Sequence, residues 1–112
     1  MERKIIAYQH YFKIFFDSLN EKIQEKVLYA LMLLQMQKRL STKFVKSIGS
    51  GIYELRIEYQ GNIYRIFFCF DEGNIVILFN GFQKKSQRTP KNEIEKAIKL
   101  KTKYDEQKRR QQ

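Results

Sequence analysis

The chain has one cysteine, one histidine, one proline and no tryptophan in its 112 residues. A lone Cys69 excludes an internal disulfide and fits a reducing compartment, where it reads as a small core hydrophobe. A lone His10 excludes a two-imidazole mechanism. One Cys with one His makes no zinc set, and the carboxylates are scattered, so neither a metal nor a small-molecule cofactor is expected. No apolar run approaches the ~20 residues of a membrane span. The start MERKIIAY is basic but has no long apolar stretch or small-residue cleavage site, so neither a signal peptide nor a membrane location is expected. Negative charge is also scarce: 12 Asp/Glu stand against 22 Lys/Arg, a net charge of +10. The excess is uneven, since residues 83–112 hold eleven Lys/Arg against four Asp/Glu and the rest hold eleven against eight. Such asymmetry suits a polyanion, either nucleic acid or an acidic protein, although a solvated basic helix and tail gives the same composition.

What is present is organised around residues 52–85, IYELRIEYQGNIYRIFFCFDEGNIVILFNGFQKK. Three strand-like runs are joined by turns signalled by Gly61-Asn62 and by Asp71-Glu72-Gly73-Asn74. The first run alternates, with Tyr53, Leu55, Ile57 and Tyr59 on one face and Glu54, Arg56, Glu58 and Gln60 on the other. The second is apolar on both faces except for Arg65, and a charge in so hydrophobic a strand implies a partner or a task. Antiparallel pairing about the first turn places Arg56 opposite Arg65.

The flanking segments complete one domain, residues 1–112. Arg3 to Tyr8 reads as a short edge strand. Phe12, Phe15, Phe16 and Leu19 recur at helical spacing, and Ser18 with Glu21 fits a capping box for a long helix over Asn20 to Lys38. That helix carries Ile23, Val27, Leu31 and Leu34 in a stripe with Leu28, Met32 and Met36 alongside, so its second half should be covered on more than one side. A wedge between sheet and first helix would cover it, as would a partner chain. Arg39 to Ser50 reads as irregular and basic, with Arg39, Lys43 and Lys46. Thr89 as cap and Pro90 as first residue open a last helix, and the basic tail from about 105 should fray. The predicted fold is α+β: a small twisted antiparallel sheet with two N-terminal helices and a C-terminal helix packed on one face, the other face partly open.

The series GIYELRIEYQGNIYRIFFCF and ILFNGFQKKSQRTPKNEIEKA resembles the RelE/ParE/HigB superfamily of bacterial toxins, most closely its phage-derived HigB-like branch, from Tyr8 to about Tyr104. The resemblance implies a RelE-like fold and a cytoplasmic toxin of a type II toxin–antitoxin pair. It implies a ribosome-dependent mRNA endonuclease that inhibits translation, with a helix-turn-helix antitoxin, the ribosome and mRNA as partners. A ParE-like poison of DNA gyrase and an inactive basic binding module are the alternatives. The chain departs from better-studied HigB members in lacking a histidine near the last strand, which leaves the general acid unassigned.

Metal-free cleavage by the 2′-hydroxyl needs a proton acceptor, stabilisation of the phosphorane and neutralisation of the leaving oxygen. With one histidine, Lys, Arg and Tyr must carry that work. Arg56 and Arg65 align with the superfamily's strand arginines and are the phosphate candidates, with ion pairing to Glu54 or Glu58 as the alternative. Lys84 and Lys85 are candidates for base and charge stabiliser, since cations lower one another's pKa. Lys91, Arg88, Lys43 and Lys46 are candidates for RNA binding. Tyr64 is undecided between stacking surface and core, whereas Tyr53 and Tyr59 read as structural. His10 reads as a capping or surface residue.

Overall fold

In the computed structural model, which describes residues 2–85 and 90–111, the elements run β1 (Lys4–Ala7), α1 (Tyr11–Asp17), α2 (Glu21–Met36), β2 (Val45–Gly49), β3 (Ile52–Tyr59), β4 (Asn62–Asp71), β5 (Ile75–Lys84) and α3 (Lys91–Arg110). The strands form one sheet in the order β1-β5-β4-β3-β2. All neighbours are antiparallel except β1, which lies parallel to Ile75–Leu78 of β5 at the sheet edge. The α+β class with two N-terminal helices and a C-terminal one is as expected.

The hairpin turns set the registers. Gln60 and Gly61 both take positive φ, +51° and +79°, the pairing a tight primed turn requires. The turn therefore lies one residue before the expected Gly61-Asn62, and Tyr59 pairs with Asn62. Counting back from it, Arg56 faces Arg65 across β3 and β4. Ser50 and Gly51 repeat the geometry between β2 and β3. β2 corrects the reading of residues 39–50 as wholly irregular. Its sequence VKSIG is short and half polar, and its pairing with β3 is not a periodicity that the segment itself displays.

Side-chain alternation divides the core into two layers. One face of the sheet presents Leu55, Ile57, Tyr64, Ile66, Phe68, Val76 and Leu78 to Phe15 of α1 and to Ile23, Val27, Ala30 and Leu34 of α2. The opposite face presents Ile52, Phe67, Cys69, Ile77 and Phe79 to Ala97 and Leu100 of α3. The helices are thus not all on one face, which corrects the expectation of an open second face. The double coverage also explains why β4 is apolar on both sides. Gly81 lets α1 approach closely, because a Cβ there would stand 2.4 Å from the Phe15 ring.

The helix ends differ from the sequence reading by identifiable bonds. Asn20 caps α2 by accepting from the Ile23 N–H at 3.0 Å. Ser18 instead donates to the Phe15 carbonyl at 2.6 Å and closes α1. Pro90, expected as the first helical residue, is the residue before α3; Thr89 lies outside the described residues. The basic tail is helical to Arg110, because Lys108 bonds Asp71 and Glu72, and Tyr104 donates to Asp71. With α3 on the far side, nothing described covers the outer face of α2, where Leu28, Tyr29, Met32 and Met36 are exposed. The wedge expected to cover that half is absent among the described residues.

Candidate functional site

Register and alternation gather cations on the α3 side of the sheet. Arg56 pairs with Arg65, Arg65 with Phe82, Ile63 with Lys84, and Lys46 with Glu54. Lys46, Arg56, Arg65 and Lys84 therefore project from four adjacent strands on one face. Their proximity is felt electrostatically. Partial burial pushes the Lys84 ammonium below its ordinary value, and the positive charges of Arg65, Arg56 and Lys46 push it the same way.

The two arginines are not equivalent. Arg65 is 7% exposed and forms an ion pair with Glu54, which is 2% exposed. Burial lowers the Arg65 pKa, and its Nε has no hydrogen-bond partner among the described residues. Ion pairing with Glu54, one of the two readings open to Arg65, is what the geometry shows. The Arg56 side chain is 39% exposed, with Glu58 a loose 3.5 Å away. Exposed pairs of that kind hold little energy, so Arg56 is available to a ligand anion. Arg65 supplies fixed charge from beneath it.

The remaining candidates separate. Lys85 turns away from Lys84 and lines a cleft beside α1. Lys43 and Lys91 are exposed, Lys43 in the turn before β2 and Lys91 at the start of α3. Tyr64 is 4% exposed, packs in the α1/α2 core and borders the cleft beside α1. Tyr53 packs on Phe68 and Phe70, as a structural residue does. Arg88 lies outside the described residues. Exposed His10 precedes α1 without a side-chain capping bond. Cys69 is buried, and burial pushes its thiol up to about 11, so it stays protonated at neutral pH. Among the described residues no group of three His, Cys, Asp or Glu stands together as a metal site would need.

A cleft of about 760 Å³ lies between α1, the end of β5 and the start of α3. Asn80 lines it and is almost wholly buried. Its Nδ2 donates to the Glu93 carbonyl at 3.2 Å, while its Oδ1 has no partner among the described residues. Sequence reasoning missed Asn80 as a functional candidate. The signal was the one that singled out Arg65, a polar residue inside an apolar strand, here ILFNGF.

What this face can do chemically follows from its charge. It can bind a phosphodiester through Arg56 and Lys84, hold that charge with Lys46 and Arg65 behind, and offer in Lys84 an amine that gives up its proton more readily than a free lysine.

Residues 14–102 match the family described as phage derived protein Gp49-like (DUF891). No curated protein matches the chain.

Proposed function

The chain belongs to the phage-derived Gp49-like protein family, and from that premise we propose that it is the toxin of a type II toxin–antitoxin pair and acts as a metal-independent endoribonuclease on translated mRNA. The observation that carries the reading is the convergence of Arg56, Lys84 and Lys46 over buried Arg65 on one face of the sheet. The toxin assignment rests on the likeness of the YELR, YRIFF and NGFQKK segments to RelE- and HigB-type toxins.

In this mechanism Arg56 holds the scissile phosphate and neutralises charge as the phosphorane forms. Lys84, its ammonium destabilised by burial and by its cationic neighbours, takes the 2′-hydroxyl proton. The 2′-oxygen attacks phosphorus, the bond to the 5′-oxygen breaks, and a 2′,3′-cyclic phosphate and a 5′-hydroxyl result. The departing 5′-oxygen takes its proton from water, and a cation beside it, with Lys46 placed for it, offsets its charge until it does. The ribosome supplies an ordered single-stranded message, and a helix-turn-helix antitoxin with an acidic segment covers the cationic face.

The test is induction in cells with mapped RNA ends. Translation should stop before any DNA damage response, with new 5′-hydroxyl ends inside translated reading frames. Arg56→Ala and Lys84→Met should remove both effects while the protein stays folded. DNA breaks arising first would instead support gyrase poisoning, and unchanged growth would support an inactive binding module.

A further inference from the structure

The cleft between α1, the end of β5 and the start of α3 has no part in the chemistry proposed above, yet its walls are specific. It opens on the outer edge of β5 past Leu78, where β1 ends and no described strand continues the pairing. Tyr11 and Phe82 supply rings, Asn80 and Gln83 supply carboxamides, and Lys85 and Lys96 supply ammonium groups. None of the described lining residues is a carboxylate. The Lys96 ammonium stands 5.2 Å from the centre of the Tyr11 ring. Asn80 is 2% exposed, with one side of its carboxamide fixed by Glu93 and the acceptor side unpaired. A buried acceptor without a donor is costly, and a side-chain shift that opened it to a ligand N–H would relieve it.

We propose that this cleft takes an unpaired nucleobase of the RNA strand whose phosphates lie on Arg56 and Lys84. The inference rests on the RNA reading above and adds a base subsite to it. A nucleobase is planar, stacks on rings, carries an exocyclic amino or ring N–H for an acceptor such as Asn80, and is joined to a phosphate for which Lys85 and Lys96 are placed. The two regions are continuous. Phe82 is the cross-strand partner of Arg65 and also lines the cleft, and Lys84 and Lys85 follow it on opposite sides of β5. A strand bound to both passes from the cationic face over the end of β5. An acidic peptide would satisfy the lysines but leaves the rings and carboxamides without a matching ligand.

The experiment measures binding of a short fluorescent single-stranded oligoribonucleotide to the full chain, against the same oligonucleotide with one abasic ribose moved through each position. Removing the base that enters the cleft should weaken binding about tenfold. Tyr11→Leu should weaken the intact strand similarly, with little further loss when the base is also removed. Tyr11 touches the core, so a second measurement stands independently of that variant. A 4-thiouridine at the sensitive position should crosslink in the wild-type protein to Tyr11, Phe82 or Gln83. Equal affinity at every abasic position, with salt-dependent binding retained, overturns the base subsite and leaves the RNA reading standing. No RNA binding at all overturns both. An acidic peptide that protects Tyr11 and Gln83 while RNA does not overturns the nucleobase in favour of a protein ligand.

Discussion

Arg65 and Arg56 face each other across one hairpin, yet the surroundings of each decide what its loss would report. Arg65→Ala breaks the buried ion pair with Glu54. Breaking a buried pair from one side typically costs about 3–5 kcal/mol, and urea unfolding should show a loss of that size. Failure of that variant to act would therefore say little about phosphate contact. Arg56→Ala removes an exposed side chain with one loose pair, so stability should move by less than about 0.5 kcal/mol while RNA binding falls. Lys84 adds a pH signature. Its pKa lies below 10.5 in the folded protein, so the folded state binds fewer protons than the unfolded state between that lowered value and 10.5. The penalty for its charge is full below the folded value and fades as pH rises towards 10.5. Lys84→Met should thus be more stable than wild type near neutral pH, with a gap that closes in alkaline unfolding curves. The sequence alone revealed that Arg65 was out of place in its strand and that it stands opposite Arg56. It did not reveal which arginine would be buried, because that depends on packing over the face rather than on local alternation.

At the scale of elements, what was legible was what local period and turn chemistry encode. The β3–β4–β5 meander, the aromatic helix and the stripe of α2 all repeat at the spacing of their own structure. β2 was not legible, because VKSIG has too few alternations and is held by its neighbour. Nor was the side on which α3 docks, since apolar residues on both faces of β4 fit a covered sheet without saying by which helix. The helical tail is a related case, because its anchor, Asp71, lies more than thirty residues earlier in the chain. Lys108 and then Tyr104 hold the Asp71 carboxyl below its usual range. That contribution is present above 3.8 and is lost as pH falls through the lowered folded value. Burial, with the Asp71 hydrogen bond behind it, pushes Tyr104 up to about 12, and Asp71 raises Lys108. Their share is lost at the alkaline end, the Tyr104 part as pH rises towards about 12. Asp71→Asn should speed amide exchange roughly tenfold over Lys101–Arg110, since charge-assisted bonds are lost. The turns around Ala97, packed against Phe79 and Phe67, should keep their protection. Equal loosening along the whole helix would mean that α3 docks as one unit and that Asp71 is not a separate anchor.

For the molecule as a whole, the question is which part of the +10 charge binds. Much of it lies on the outer side of α3, where Lys96, Lys99 and Lys103 stand along a shallow groove. The four strand-borne cations lie elsewhere, gathered by sheet register rather than by helical spacing. The sequence showed the excess in residues 83–112 but could not show that two separate surfaces share it. Salt dependence separates them. Each phosphate neutralised on a single strand contributes a slope of about −0.7 in log K against log salt. Binding through Arg56, Lys46, Lys84 and the nearby Lys85 should thus give a slope of about −2 to −3. Arg56→Ala should make it shallower by about 0.7, because one counterion fewer is released. Lys99→Gln with Lys103→Gln should lower the general attraction at low salt and leave the slope near its wild-type value, because long-range charge without direct contact is screened rather than stoichiometric. The converse result, a slope set by Lys99 and Lys103 and indifferent to Arg56, would move RNA binding from the sheet to the helix. It would also leave Lys84, lowered in pKa on the opposite side of β5 from Lys85, without a phosphate to act on.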